Sequence, residues 1–190
     1  MAFKLVHWIF VISSLCISSL QGKCDFEKFR EKGIVPNIIP DVPDKEIKVE
    51  YTEIPLECGE ELLQNVTRYQ PALTFTGLNE DKLHTLIMFD PDAPNPENPH
   101  LANYRHWVLE DIPGNNFYEG YTVSSYKGPD PPPNSDAHRY IFLVYQQPKS
   151  KKLRETFDDD KRAHFKIKTF VNKRNLIGPL AGNFMYVRHL

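Results

Sequence analysis

The sequence predicts a mainly β fold, and three observations support this prediction. Residues 83–89 and 140–145 are apolar runs that are too short, and too rich in branched and aromatic residues, to indicate helices. Two further segments alternate apolar and polar residues with the period of a strand. Sixteen prolines spread along 190 residues indicate many fixed turns. We therefore expect a mainly antiparallel β-sandwich in one domain.

The elements of the first part of the chain follow from local patterns. A short amphipathic helix is expected between Asp25, a candidate N-cap, and Gly33, a typical stop residue. Residues 47–51 and 72–76 are the two alternating segments, and both are predicted to be strands. The turn that ends the second of these strands is expected at residues 77–79.

The second part of the chain is also predicted from local patterns. After the first apolar run, residues 107–109 predict a strand that ends in a turn at residues 111–114. Four prolines in residues 128–133 indicate a rigid loop before the second apolar run. A mixed apolar pattern further on predicts a helix that starts near Ala163.

The N-terminus has the pattern of a secretory signal peptide. Lys4 precedes a mostly apolar stretch that serines interrupt, so the stretch is less apolar than a membrane anchor. We expect a signal peptide at residues 1–22 and one domain at residues 23–190, with an uncleaved leader as the alternative.

Two other features gain meaning if the chain is secreted. Asn65, Val66 and Thr67 form an N-glycosylation sequon, and Asn65 is its acceptor. Cys24 and Cys58 remain after the leader is removed, and in an oxidising compartment they predict one disulfide. Two free thiols are the alternative.

Charge and composition disfavour a nucleic-acid partner. The formal net charge is −2, and the sequence contains neither a long basic stretch nor the spacing of zinc ligands.

A group of polar residues lies where the predicted strands meet proline-rich turns. Asp90 and Asp92 follow one strand, while His106 and His138 lie in two others, with Tyr104 beside the first histidine. Protonated histidines can donate hydrogen bonds to a phosphate, and a carboxylate can accept one from an ammonium group. This lining would suit a zwitterion such as phosphoethanolamine, with aromatic surface beside it.

Three other interpretations of these residues stay open. A metal site would use the same ligands, but no His-x-x-x-His or Cys-x-x-Cys spacing supports it. A hydrolase would need an activated nucleophile, but there is no Gly-x-Ser-x-Gly motif and no serine within either histidine motif. Alternatively, the carboxylates only cap a turn and the histidines only fill the core. We expect a binding protein and not an enzyme.

Several motifs resemble the phosphatidylethanolamine-binding protein family, also called Raf kinase inhibitor proteins, and secreted invertebrate members in particular. The motifs that carry the resemblance are residues 90–94, 106–107, 128–132, 138–140, 143–145 and 175–183. The similarity extends from about residue 34 to the end of the sequence.

The resemblance implies a large central antiparallel sheet packed against a smaller sheet, with an anion pocket at one end. It also implies a cis peptide bond between Ala93 and Pro94. Eleven positions match the family's pocket: Asp90, Asp92, Ala93, Pro94, Tyr104, His106, Pro131, Pro132, His138, Arg139 and Tyr140.

The sequence departs from the family pattern at three places. Tyr104 replaces a tryptophan found in many members, and Asp130 replaces a glycine. A carboxylate at the pocket rim is expected to weaken phosphate binding or to favour a cation. The sequence ends at Leu190, where members usually continue into a C-terminal helix. We expect a more open pocket and an exposed apolar patch as a result.

Together these features predict a secreted, non-enzymatic monomer that binds phospholipid headgroups, phosphatidylethanolamine in particular, or small phosphate-type anions. No cofactor and no metal are expected. One alternative is an extracellular protease inhibitor or signalling modulator that acts through protein contact. Another is a carrier of a hydrophobic, odorant-like ligand.

Overall fold

The computed structural model describes residues 24–52, 54–148 and 156–189, and the predicted signal peptide lies outside them. This part of the chain contains ten strands: β1 Lys45–Glu46, β2 Lys48–Tyr51, β3 Ile54–Pro55, β4 Glu60–Leu63, β5 Ala72–Thr74, β6 Leu83–Asp90, β7 Tyr104–Pro113, β8 Tyr121–Ser124, β9 His138–Gln146 and β10 Ile177–Arg188. It also contains two α-helices and two 3₁₀ turns: α1 Glu27–Glu31, α2 Ile167–Lys173, Val66–Arg68 and Phe117–Glu119. The fold is mainly β, as predicted.

The strands form one large and one small sheet. The large sheet has seven strands in the order β1-β10-β9-β6-β7-β8, and β4 also pairs with β10. The small sheet has the order β3-β2-β5. The long central pairings are antiparallel, but β1 and β4 both run parallel to β10. The large sheet is therefore mixed, because two short N-terminal strands are added along one edge of β10.

The large sheet is buried on both faces, which explains the continuous apolar runs. Leu86 and Met88 pack in the cluster that includes residues of the small sheet. Ile87 and Phe89 belong to the cluster on the other side, which includes residues of both helices. When successive side chains of a strand all point into a core, the strand loses its apolar–polar alternation. The prediction of buried strands is confirmed.

The two helices differ from expectation at their starts. In α1, Phe26 is the N-cap residue, although Asp25 Oδ1 still accepts a hydrogen bond from the Glu27 amide at 3.0 Å. Gly33 has a φ of 65° and ends this helix as predicted. The start predicted for the second helix, near Ala163, is wrong. His164 has a φ of 59°, which a right-handed helix excludes, so α2 begins at Ile167.

Strand β7 is longer than predicted. It continues through the expected turn as far as Pro113, and the sharp turn comes at Gly114, which has a φ of 52°. Asp111 has a φ of 55°, and the pairing of β6 with β7 shifts register between His84 and Leu86. This irregularity lets the strand pass the turn-forming residues without ending.

Cys24 and Cys58 form a disulfide, so the pairing predicted from the sequence is confirmed. The bond closes a sequence separation of 34 residues between the N-terminal segment and the region just before β4. A loop of this size would stabilise the fold by roughly 3–4 kcal/mol on chain-entropy grounds. Within the described ranges, none of the helices is long and apolar enough to span a bilayer.

Candidate functional site

The predicted polar residues meet at one end of the large sheet. Asp90 is the last residue of β6, Tyr104 is the first of β7, and these two residues are paired in the sheet. His138 begins β9, the neighbour of β6 on its other side. These strand ends and the loops that follow them enclose a cavity of about 180 Å³.

Eight of the eleven residues implied by the family resemblance line this cavity, namely Asp90, Ala93, Pro94, Tyr104, His106, Pro132, His138 and Tyr140. The other three, Asp92, Pro131 and Arg139, lie outside the lining. Pro131 is buried, and its carbonyl oxygen lies 3.1 Å from His189 Nδ1. The Ala93–Pro94 peptide bond is cis, as the resemblance implied.

Asp90 and His138 form a buried pair at the wall of the cavity. His138 Nδ1 lies 2.7 Å from Asp90 Oδ2, and Asp90 Oδ1 accepts the Asp92 amide at 2.7 Å. Burial, which disfavours the carboxylate charge, raises the pKa of Asp90 despite the hydrogen bond from His138. Both carboxylate oxygens therefore have protein partners, and the pair is held rigidly.

Asp92 serves a different purpose. It accepts three hydrogen bonds from Arg139: from the backbone amide at 2.8 Å, from Nε at 2.9 Å and from Nη2 at 2.6 Å. Arg139 Nη1 also donates to the Lys32 carbonyl at 2.7 Å, which connects β9 to the segment after α1. The hydrogen bonds to Asp92 raise the pKa of Arg139. This ion pair joins three parts of the fold and lies outside the cavity lining.

His106 is neutral in the folded protein, contrary to the protonated donor that the sequence suggested. Its Nδ1 lies 2.6 Å from the Lys127 carbonyl oxygen, so Nδ1 carries the hydrogen and donates it. Burial lowers the pKa of His106 to about 3. Among the described residues the side-chain hydrogen bond of His106 is the one through Nδ1, and the ring lines the cavity. At neutral pH Nε2 is therefore an acceptor.

Aromatic rings surround these polar groups. The ring of His106 lies 5.1 Å from that of Tyr104 and 5.0 Å from that of Tyr140, measured between centroids. Burial raises the pKa of Tyr140 far above its usual value, so its hydroxyl stays protonated. The ammonium group of Lys127 lies 5.8 Å from the Tyr104 ring centroid. The cavity thus combines π surface with one cation at its edge.

Sequence reasoning did not include two of the lining residues, Leu101 and Lys127. Each comes from a loop that backbone hydrogen bonds hold at the site. The Leu101 amide donates to the Ala93 carbonyl at 3.0 Å, and the Lys127 amide donates to the His106 carbonyl at 2.8 Å. Lys127 directly precedes the glycine at the start of the proline-rich loop. This position in the sequence could have indicated that Lys127 belongs to the site.

Asp130 also lines the cavity, which agrees with the rim position expected of it. Its Oδ1 accepts a hydrogen bond from Gln64 Nε2 at 2.8 Å. A second carboxylate therefore faces the site, and it is anchored to the segment after β4.

Ser135 is a further residue that the sequence did not assign to the site. Its Oγ lies 2.8 Å from His138 Nε2, so a serine, a histidine and an aspartate are in line, the arrangement of a hydrolase triad. Ser135, however, is not part of the cavity lining, and its hydroxyl also lies 2.9 Å from the Asp136 carbonyl. The two ring nitrogens of His138 therefore contact Asp90 and Ser135.

Among the described residues, no group of three or more His, Cys, Asp or Glu side chains is arranged to hold a metal ion.

Comparison with known proteins identifies the family. The model of the family described as phosphatidylethanolamine-binding protein matches residues 42–185. A Drosophila melanogaster protein, provisionally named odorant-binding protein A5, is 29% identical over 99% of this chain and 92% of its own length. A 26 kDa secreted antigen of Toxocara canis is 35% identical over 82% of this chain, but the match spans only 61% of the antigen.

A solved structure agrees with these matches. The crystal structure of a carboxypeptidase Y inhibitor, complexed with its cognate proteinase, superimposes with a TM-score of 0.73 at 26% identity. The superposition covers 87% of this chain and 95% of the inhibitor. With its two-sheet fold, its end-of-sheet cavity and a family match over most of its length, this chain belongs to the phosphatidylethanolamine-binding protein family.

Proposed function

We propose that this protein is an extracellular, non-enzymatic binder of small phosphorylated amines, with phosphoethanolamine, free or as a lipid headgroup, as the model ligand. The observation that carries the proposal is the neutral His106, whose unpartnered Nε2 lies in a cavity with Asp90 and two tyrosine rings. An acceptor nitrogen, a carboxylate and π surface together suit an ammonium group.

The size of the cavity supports a small ligand group. About 180 Å³ is less than the roughly 300–1,000 Å³ typical of pockets that enclose a drug-sized molecule. A headgroup fits this limit with its acyl chains left outside, whereas a hydrophobic carrier function would need a deeper apolar cavity.

The proposed orientation differs from the one expected from the sequence. A phosphate deep in the cavity would meet the carboxylate of Asp90, which repels it when charged, and the Nε2 of His106, which has no hydrogen to donate to it. An amine is therefore placed inside and the phosphate toward Lys127, the one cation of the lining. Extracellular location is supported by the disulfide and by the secreted antigen among the relatives.

Calorimetric titration with ethanolamine and phosphoethanolamine tests the proposal. The His106→Asn variant keeps a side-chain N–H for the Lys127 carbonyl but has no counterpart of Nε2, and we expect it to lose amine binding. His164→Asn is the matched control, because His164 is exposed and asparagine tolerates its positive φ. Equal affinities of both variants and the wild type would show that His106 is purely structural.

Protease inhibition is the second candidate function, favoured by the likeness to the carboxypeptidase Y inhibitor. It predicts that addition of the purified protein lowers the rate of a carboxypeptidase such as carboxypeptidase Y. An unchanged rate at excess protein would exclude this activity for that class of enzyme.

A further inference from the structure

A serine, a histidine and an aspartate lie in line where the proline-rich loop enters β9. Ser135 Oγ lies 2.8 Å from His138 Nε2, and His138 Nδ1 lies 2.7 Å from Asp90 Oδ2. These are the contacts of a nucleophile, a base and an orienting carboxylate. His138 and Asp90 are buried, whereas Ser135 is half-buried and lies between two exposed residues of the loop. Small molecules can therefore reach this serine from solvent.

The aspartate determines which nitrogen of the imidazole presents a lone pair to the serine. When Asp90 is ionised, it accepts the hydrogen of His138 Nδ1, so Nε2 of the neutral ring is an acceptor for the Ser135 hydroxyl. The single hydrogen of this hydroxyl can also be accepted by the Asp136 carbonyl oxygen, at 2.9 Å. Only the imidazole is basic enough to remove the proton, so the contact with His138 is the one that activates Oγ.

The loop holds the serine in this position. Three consecutive prolines, residues 131–133, restrict the backbone just before it. The Ser135 amide donates to the Pro132 carbonyl at 3.1 Å, and the neighbouring Asp136 forms an ion pair with Arg188 of β10 at 3.6 Å. The hydroxyl and the imidazole are therefore held together before any reagent arrives.

The two other serines of the described residues have different partners. Ser124 Oγ donates to Asp159 Oδ1 at 2.6 Å, and Ser125 Oγ donates to Asp159 Oδ2. Ser125 is more exposed than Ser135, but its partner is a carboxylate, which is a weaker base than an imidazole. A comparison of Ser125 with Ser135 therefore separates activation by a base from simple exposure.

We propose that Ser135 is an activated nucleophile that small electrophilic esters, namely organophosphates and carboxylic esters with a good leaving group, modify covalently. In this step Oγ forms a bond to the phosphorus or the carbonyl carbon, and the bond from that atom to the leaving group breaks. The leaving group departs as an anion, and the proton of Oγ passes to His138 Nε2 and then to solvent. The chemistry goes beyond ligand binding and does not depend on which ligand the cavity holds.

We expect one modification per molecule and not turnover. In serine hydrolases the backbone N–H of the nucleophile helps to stabilise the oxyanion that forms during attack. The N–H of Ser135 already donates to the Pro132 carbonyl, so it is not available for this purpose. Water should therefore release the bound group slowly, and the modified protein should accumulate. A single covalent event of this kind is compatible with a protein that is not an enzyme.

Reaction with diisopropyl fluorophosphate, followed by tryptic digestion and mass spectrometry, tests the proposal. Trypsin cleaves after Lys127 and Arg139, and Ser135 carries the only hydroxyl group of the peptide 128–139. We expect the folded wild type to gain one diisopropylphosphoryl group on this peptide. The reaction should be slower by about a hundredfold or more at Ser125, since a positioned base contributes a factor of this size.

Unfolding and substitution provide the controls. Urea-unfolded protein should not react at Ser135, and Asp90→Asn, checked for folding by circular dichroism, should react far more slowly because the imidazole loses its orienting carboxylate. Ser125→Ala should react at Ser135 like the wild type. The proposal is wrong if the folded wild type gains no group on Ser135, if Ser125 reacts as fast, or if folded Asp90→Asn keeps the wild-type rate.

Discussion

Asp90 and Asp92 are separated by a single proline and are almost equally buried, yet the fold uses them differently. Asp90 is paired with an imidazole and borders the cavity. Asp92 is paired with the guanidinium of Arg139 and does not itself line the cavity. Burial therefore does not distinguish the carboxylate that we propose for ligand binding from the one that joins parts of the fold. The side chain paired with each carboxylate distinguishes the two, because an arginine keeps its charge at any physiological pH whereas an imidazole is easily neutralised.

The largest expected effect is that of removing the structural carboxylate. Asp92→Ala should lower the free energy of unfolding by about 3 kcal/mol, because it leaves Arg139 without its partner at a largely buried site. Denaturant titration measures this loss, and the folded fraction should still bind ethanolamine. A variant that is as stable as the wild type but no longer binds would reverse the assignment of the two carboxylates.

The next effect concerns pH and His106, the neutral histidine of the cavity. The folded pKa of His106 is about 3 and the unfolded value is about 6.5, so the unfolded chain binds the proton more tightly. Stability should therefore rise with pH between these values, and it should fall by about 2 kcal/mol from pH 7 to pH 5 on account of this residue. Unfolding curves of wild type and His106→Asn should differ in slope over this range. Parallel curves would show that His106 is not buried as a neutral ring.

Removing the charge of the binding carboxylate should affect affinity more than stability. Asp90→Asn is expected to weaken amine binding by about 1.5 kcal/mol or more, the value of a charge-assisted hydrogen bond. Burial already disfavours the charge of Asp90, so the loss of stability should be smaller than for Asp92→Ala. Calorimetry and denaturant titration on the same preparation measure both quantities. If Asp90→Asn lost more stability than Asp92→Ala and kept its affinity for the amine, the contrast drawn between the two carboxylates would be wrong.

The smallest effect is expected at the rim of the cavity. Asp130→Gly should tighten phosphate binding by no more than about fivefold, because Asp130 is exposed and its repulsion is screened. The gain should shrink as salt is added, which a titration series at increasing ionic strength will show. Weaker phosphate binding in this variant would mean that Asp130, held by Gln64, organises the site more than it repels the ligand.

The sequence was sufficient for the parts of the fold that depend on local pattern. The apolar runs before Asp90 and after His138 are strands because no other short structure buries such segments on both sides. The end of α1 at Gly33 likewise follows from one residue's backbone preference. The start of α2 was missed because the left-handed conformation of His164 is imposed by the surrounding fold.

Residues of the candidate site could be predicted where they belong to a sequence motif. Residues that a separate loop brings to the site in the folded chain could not. Asp90 and His138, both at strand ends, were proposed for one pocket from their motifs, and the structure brings these two side chains into contact. Asp92 and Arg139 belong to the same motifs, but the chain alone does not tell which side of the strand ends faces the cavity. Lys127 comes from a loop, and it reaches the cavity only because its backbone amide donates to the His106 carbonyl in the folded chain.

Asn65 lines a second cleft of about 450 Å³, which shares Lys127 and Asp130 with the cavity. If its sequon is used, the first sugar of the glycan starts in this cleft, directly beside the cavity. Protein made in bacteria and protein made in a secretory cell would then have different entrances to the same cavity. The expression host becomes an experimental variable, and affinities measured on one preparation cannot be carried over to the other without enzymatic deglycosylation as a control.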